Sequence, residues 1–187
     1  MLANKFYPMD GFYIKTNFDQ HKKFKNIFLE LIDRLPKQKI EDVNNSDWNL
    51  PVDYKREYLD LFYDLIKPYW ENICNQMCCN KWTITNGWFQ QYKKGFHDWH
   101  NHGGVHFSSV YYLELPGKEY QTNFFNPYTK KLINNLGVKE GDIITTPAFI
   151  PHTSIKNKNN KRKTVIVFNS MFEDVDEKKI QKIFKKN

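Results

Sequence analysis

The amino-acid sequence predicts a mostly β protein with flanking helices, an α+β chain whose strands form a sandwich or jelly roll with two or three supporting helices N-terminal to it. Three observations carry this. Up to residue 80 the apolar residues recur with helical spacing; from Lys81 onward they alternate in short runs; and aromatic side chains make up 17% of a chain that holds only 8 glycines and 8 prolines. Phe, Tyr and Trp suit a pleated, half-buried surface, and short runs of period two separated by turn residues are what sandwiches and barrels look like in sequence.

In order along the chain, Phe12 to Phe18 has the aromatic and β-branched character of a strand, and Asn17 or Asp19 can cap the helix that follows. Phe24, Ile27, Phe28, Leu31 and Ile32 then form an apolar stripe that ends before Pro36. Residues 37 to 52 are rich in turn formers and read as a loop. A second helix has Tyr58, Leu61, Phe62, Leu65 and Ile66 on its buried face, and Pro68 must either kink it or open a new helix before Tyr69 to Cys79. Strands are expected over Trp82 to Thr85, Trp88 to Tyr92, Phe107 to Leu113, Gln121 to Phe125, Asp142 to Thr146 and Thr164 to Asn169. The expected layout is one domain, 1–187: an N-terminal strand and helices (1–80), a strand-built core (81–172) and a basic C-terminal tail (173–187).

The formal charge of +7 would attract nucleic acid, but Lys and Asn are spread along the whole chain, so the charge reads as compositional. A small molecule or peptide is the expected partner ahead of nucleic acid, and a homodimer stays open. Cys74, Cys78 and Cys79 are odd in number and adjacent in a helical segment, which argues against a disulfide framework and for free thiols in a reducing cytoplasm. Cys74 and Cys78 lack a second Cys/His pair to complete a zinc site. No apolar stretch approaches the ~20 residues of a membrane span, and no signal-peptide layout opens the chain.

The chemistry concentrates elsewhere. Four of six histidines, His97, His100, His102 and His106, fall within ten residues, and His152 stands alone behind Gly141 to Pro147. Imidazoles two apart on a strand share a face, so His100 and His102 can bind one ion, with His152 brought in by the fold. Three neutral donors on one face suit iron, zinc, copper or nickel and leave positions open. Asp98, two residues before His100, is the alternative ligand; His97, His106 and His21 read as satisfied core or surface groups. On the residues alone, a cupin-like metal protein or a dioxygenase without 2-oxoglutarate remains as an alternative to an oxygenase.

The run Gly95-Phe-His97-Asp-Trp-His100-Asn-His102, then Ser108 to Pro116, then Gly141-Asp-Ile-Ile-Thr-Thr-Pro147 with His152, then Arg162 to Asn169, resembles the iron(II)/2-oxoglutarate-dependent oxygenases related to prolyl hydroxylases, of bacterial and phage type. The resemblance spans residues 82 to 170. It implies a double-stranded β-helix of the jelly-roll or cupin type, an iron(II) held by His100, His102 and His152, and 2-oxoglutarate and O2 as co-substrates. It further implies a dioxygenase that hydroxylates its substrate and releases succinate and CO2. The superfamily places a carboxylate where His102 stands, which is a departure. For the 2-oxoglutarate carboxylate the resemblance implies a cation on the last strand. Arg162 and Lys163 compete, and alternation back from Asn169 favours Lys163, although Arg162 is the better bidentate partner. Tyr112 and Tyr92 are expected to bond the same carboxylate or line its pocket.

Overall fold

The computed structural model describes residues 2–6, 11–126, 129–158 and 161–184. Twelve strands and three helices follow one another as β1 (Leu2–Phe6), β2 (Gly11–Asn17), α1 (His21–Asp33), β3 (Gln38–Ile40), β4 (Val43–Ser46), α2 (Glu57–Gln76), β5 (Cys79–Tyr92), β6 (His97–His100), β7 (Phe107–Glu114), β8 (Thr122–Asn126), β9 (Lys131–Ile133), β10 (Asp142–Pro147), β11 (His152–Ser154), β12 (Lys163–Val175) and α3 (Glu177–Phe184). They form an eight-stranded sheet, ordered β1-β2-β10-β7-β12-β5-β4-β3, and a four-stranded sheet, β6-β11-β8-β9. Every recorded pairing is antiparallel.

The large sheet is buried on both faces, and strand alternation divides its side chains between two cores. Phe89, Tyr111, Ile143, Ile166 and Phe168 meet α1 and α2 through Phe28, Ile32, Phe62, Ile66 and Trp70. Trp88, Tyr92, Val110, Tyr112, Ile144, Val165 and Val167 face the other way and pack with Phe124 and Ile150 between the sheets. Each fully buried aromatic or aliphatic side chain contributes about 1.5–3 kcal/mol, so the helix layer stabilises the large sheet while standing apart from the space between the sheets. The expected helix stripes hold except at Ile27, which remains 42% exposed.

Several expectations need correction. Residues 37 to 52 are not wholly loop: β3 and β4 extend the large sheet, with Asn45 and Ser46 paired to Gln91 and Gln90. Asn17 and Asp19 do not cap α1; Gln20 occupies that position without a side-chain cap, and Asp19 instead accepts a hydrogen bond from the Tyr69 hydroxyl at 2.6 Å. α2 runs through Pro68 as one helix. The two strands expected around Asn86-Gly87 are one, because Gly87 is a packing glycine and not a turn: a Cβ there would run into the Tyr63 hydroxyl. Residues 177–184 of the expected tail form α3. The three cysteines are free and buried, and no helix among the described residues is long and apolar enough to cross a membrane.

Loop 47–56 is pinned from beneath. Asp47, wholly buried, accepts hydrogen bonds from the Phe89 amide at 2.9 Å, the Tyr58 hydroxyl at 2.7 Å and the Arg56 guanidinium at 2.9 Å. Burial nonetheless pushes its carboxyl pKa upward, against the pull of these partners. The latch fixes Ser46 and Trp48 at the edge of the space between the sheets.

Candidate functional site

The small sheet carries the histidines. β6 and β11 pair so that His100 sits opposite His152, but His97 sits opposite Ser154. Three residue steps on one strand span two on the other, which is a β-bulge; such an extra residue re-aims neighbouring side chains. The rings of His97 and His100 therefore come within 4.0 Å of each other, centre to centre. His102 follows β6, anchored by its amide to the Ala148 carbonyl at 2.9 Å. One potential ligand atom from each of His100, His102 and His152 lies within 4.8 Å of the others, the only such group of three among the described residues.

The hydrogen bonds around these rings leave lone pairs where a metal needs them. Nδ1 of His100 lies 2.7 Å from the Asp98 carbonyl, and Nδ1 of His152 lies 3.0 Å from the Ile150 carbonyl. A carbonyl only accepts, so Nδ1 holds the proton in both and Nε2 keeps its lone pair. Such backbone bonds orient ligand imidazoles and raise their basicity. Nε2 of His102 is buried with no hydrogen-bond partner, which costs free energy unless something occupies that direction. Burial lowers the pKa of His152 to about 3 and of His102 to about 4, with His100 adding to both shifts. Both are neutral at pH 7, the state in which imidazole ligates. The donor set therefore fits a transition-metal ion on one triangular face.

His97 has a different role. The Tyr92 hydroxyl donates to Gln90 Oε1 at 2.6 Å, which turns the Gln90 amide nitrogen toward His97 Nδ1 at 3.2 Å. That nitrogen only donates, so Nδ1 of His97 accepts and Nε2 carries the proton. His97 is thereby a hydrogen-bond donor beside the cluster and not a fourth ligand. Asp98 stays outside the cluster; its carboxylate is exposed and accepts from the Trp99 amide at 2.8 Å. His106 accepts from the Phe172 amide at 3.1 Å and His21 bonds the Tyr111 hydroxyl at 2.7 Å, both away from the cluster.

Behind the histidines a narrow chamber reaches between the sheets, lined by Tyr92, Thr122, Ser154, Lys163, Val165 and Val167, with His100 and His152 at its head. Lys163 is 1% exposed; its Nζ donates to Ser154 Oγ at 2.8 Å and sits 5.1 Å from the centre of the Tyr92 ring. Desolvation lowers its pKa to about 7, and no carboxylate among the described residues pairs with it. An ammonium buried without a counter-charge is costly, and an anionic ligand entering the chamber would relieve that cost. Arg162 points the other way, bonding Glu114 at 2.8 Å and Asp33 at 2.9 Å on the outside of the sheet. The Tyr112 hydroxyl is spent on Thr122, donating to Oγ1 at 2.9 Å and accepting from the amide at 3.0 Å.

In front of the histidines opens a cleft of about 570 Å³ with Trp48, Trp88, Asn86, Gln90, Val105 and Asn169 among its walls. Trp88 stacks on His102 at 5.8 Å and meets Trp48 edge-on at 4.3 Å.

No protein-family model and no curated protein sequence matches this chain. Solved structures do. It is similar to a viral collagen prolyl hydroxylase from Paramecium bursaria Chlorella virus-1 in complex with 2-oxoglutarate, at 14% identity over 87% of this chain and 96% of that one, with a TM-score of 0.60. An oxidoreductase of the 2-oxoglutarate-Fe(II) oxygenase family from Burkholderia pseudomallei matches at 13% identity over 88% and 87%, TM-score 0.65. A Pseudomonas putida prolyl-4-hydroxylase matches at 12% over 86% and 92%, TM-score 0.59. The fold is the double-stranded β-helix. In that frame the histidines stand at the mouth between the sheets and Lys163 deeper in, the layout in which jelly rolls place small-molecule sites. The sequence reading passed over Ser154, Thr122 and Gln90, single polar residues in strands with no pattern to flag them. It also set His97 aside.

Proposed function

We propose that the chain is an iron(II)- and 2-oxoglutarate-dependent dioxygenase that hydroxylates a small molecule or peptide. The single observation that carries the reading is the pairing of three convergent imidazoles with a buried ammonium, unpaired with any carboxylate among the described residues, in the chamber behind them. The all-imidazole set accepts several metals, but the Lys163 chamber asks specifically for a ligand that is anionic at its far end, as 2-oxoglutarate is.

His100, His102 and His152 would hold the iron, leaving the remaining positions for co-substrate and O2. When bound, iron(II) and 2-oxoglutarate supply the oxidising power: O2 is split, one atom entering succinate as CO2 leaves, the other entering a substrate C–H bond. The chain's own residues bind and orient. Lys163 Nζ and Ser154 Oγ would receive the distal carboxylate, each N–H or O–H donated to a charged oxygen being worth about 1.5–3 kcal/mol. Val165 and Val167 form a dry wall that keeps those bonds strong. His97, its Nε2 proton held in place by Gln90 and Tyr92, would offer a hydrogen-bond donor beside the residues that hold the iron. Trp48 and Trp88 would flank the substrate in the outer cleft.

The test is anaerobic titration of iron-loaded protein with 2-oxoglutarate, followed by exposure to O2. A weak visible charge-transfer band and subsequent succinate are expected. Loaded protein that gives neither is a metal-binding jelly roll without 2-oxoglutarate chemistry, and the proposal falls.

A further inference from the structure

His97 stands where three spaces meet: like His100, it lines the chamber, the outer cleft and the open recess beside it. The metal-binding group does not need it, yet the fold holds its ring in one state. Gln90 and Tyr92, both buried, alternate on β5 opposite Val165 and Lys163 of β12 and so face the chamber. The Tyr92 hydroxyl fixes the oxygen of the Gln90 amide at 2.6 Å, and the amide nitrogen meets His97 Nδ1 at 3.2 Å. An amide held at both ends cannot turn over without losing both bonds. Since its nitrogen only donates, the ring proton of His97 is displaced to Nε2. That nitrogen bonds no described residue and, unlike Nε2 of His102, is not sealed from the cavities.

The same hydrogen bonds continue to the far end of the chamber. Ser154 bonds the Tyr92 hydroxyl as well as Lys163 Nζ, so Lys163, Ser154, Tyr92, Gln90 and His97 form one connected chain along a single cavity. Val110, Val165 and Val167 line that cavity without offering a hydrogen bond. The chamber therefore has donors at its two ends and apolar walls between them, which suits a short molecule bearing oxygen acceptors at both ends.

We propose that His97 binds the co-substrate directly, donating its Nε2–H to an oxygen at the metal-side end of the same 2-oxo diacid whose far carboxylate meets Lys163, and that Gln90 and Tyr92 are positioning residues that keep the proton on Nε2. This role presupposes the oxygenase reading and adds a contact to the diacid that does not pass through the metal. With the proton on Nδ1 instead, Nε2 would present a lone pair to an anionic oxygen and repel it.

The experiment uses full-length protein in two metal forms. In the zinc-loaded form, which is diamagnetic, nitrogen-15 spectra of the histidines read each tautomer. His97 should carry its proton on Nε2 in the wild type and on Nδ1 in Gln90→Glu, whose carboxylate only accepts. In the iron(II)-loaded form without O2, titration with 2-oxoglutarate reads affinity and the position of the charge-transfer band. His97→Met should keep its iron on elemental analysis, bind 2-oxoglutarate about tenfold or more weakly, and shift the band to shorter wavelength, because losing a donor raises the energy of the ligand's electron-accepting orbital. His97→Gln, which returns an amide N–H near the place of Nε2, should recover affinity to within about threefold of wild type. Gln90→Glu should lose at least as much affinity as His97→Met. A wild-type Nδ1–H tautomer, or unchanged affinity and band in His97→Met, overturns the proposal; so does loss of iron from His97→Met, which would make the ring a ligand. A wild-type band that ignores His97 leaves the oxygenase standing and removes this role alone, whereas iron-loaded wild type without any band removes the oxygenase reading and this role with it.

Discussion

Lys163 offers a prediction in which stability and function move in opposite directions. The side chain is 1% exposed, and desolvation drops its pKa from 10.5 to about 7. Between those values the unfolded chain holds a proton that the folded chain gives up, so stability rises with pH across that window and the contribution is unfavourable below it. At pH 7 the difference amounts to about 4 kcal/mol, at 1.36 kcal/mol per unit. Lys163→Met keeps the volume and removes the charge, and should stabilise the ligand-free protein by an amount of that order, about 2–4 °C in Tm per kcal/mol. It should flatten the rise of Tm with pH above 7 as well. The same variant removes the buried cation of the chamber, the only Lys or Arg among the described residues that line it, so 2-oxoglutarate affinity should fall by about 3 kcal/mol or more, about two orders of magnitude. Thermal unfolding with and without 2-oxoglutarate, in redox-inert zinc-loaded protein, reads both effects. A higher Tm without ligand and an abolished ligand shift are expected, with Arg162→Ala keeping the full ligand shift. A variant that keeps wild-type 2-oxoglutarate affinity would refute the assignment of Lys163, and a lowered Tm would refute the desolvation argument.

Four further outcomes follow from the same geometry. His152→Ala should lose metal to background on elemental analysis after loading and dialysis, whereas His106→Ala should retain it. As pH falls from 6.5 toward 4, the unfolded chain takes up protons that His97, His102 and His152 refuse in the fold, their pKa values being lowered to about 4, about 4 and about 3. Metal-free protein should therefore lose stability steeply across that window, and bound metal, which holds the ligand imidazoles neutral, should shift apparent unfolding further by mass action. Asp47→Ala, which takes the carboxylate from Arg56 and leaves the Phe89 amide and the Tyr58 hydroxyl without their acceptor, should cost about 3–5 kcal/mol in denaturant melts. Tyr112→Phe should cost about 1–2 kcal/mol for the lost Thr122 bonds while leaving 2-oxoglutarate affinity within about twofold.

What could be read from the sequence was whatever leaves a periodic trace. The i, i+2 spacing of His100 and His102 and the alternation Lys163, Val165, Val167, Asn169 both survive folding because a strand has a fixed repeat. The helix stripes were legible for the same reason. The β6–β11 bulge was not: His97 is three residues from His100, out of step with any strand period, and only pairing with β11 shows that both rings converge. The β3–β4 extension escaped notice because its contacts with β5 are polar, Asn45 to Gln91 at 3.1 Å and Ser46 to the Phe89 carbonyl at 2.7 Å, and asparagine in a short run looks like a turn. Gly87 misled in the opposite sense, as a glycine selected by a neighbouring hydroxyl and not by backbone conformation.

β12 has two audiences. Its odd-numbered residues from 163 to 169 look toward the chamber and cleft, and its even-numbered ones look toward the helix layer, where Ile166 and Phe168 pack and Thr164 bonds Glu114. A saturation library across this one segment, scored separately for cellular abundance and for turnover, should resolve into two interleaved combs. Even positions should deplete in abundance, while Lys163 and Asn169 should deplete in turnover at preserved abundance. A one-residue slip of its register against β5 and β7 would exchange the combs, exposing the ammonium and burying a guanidinium.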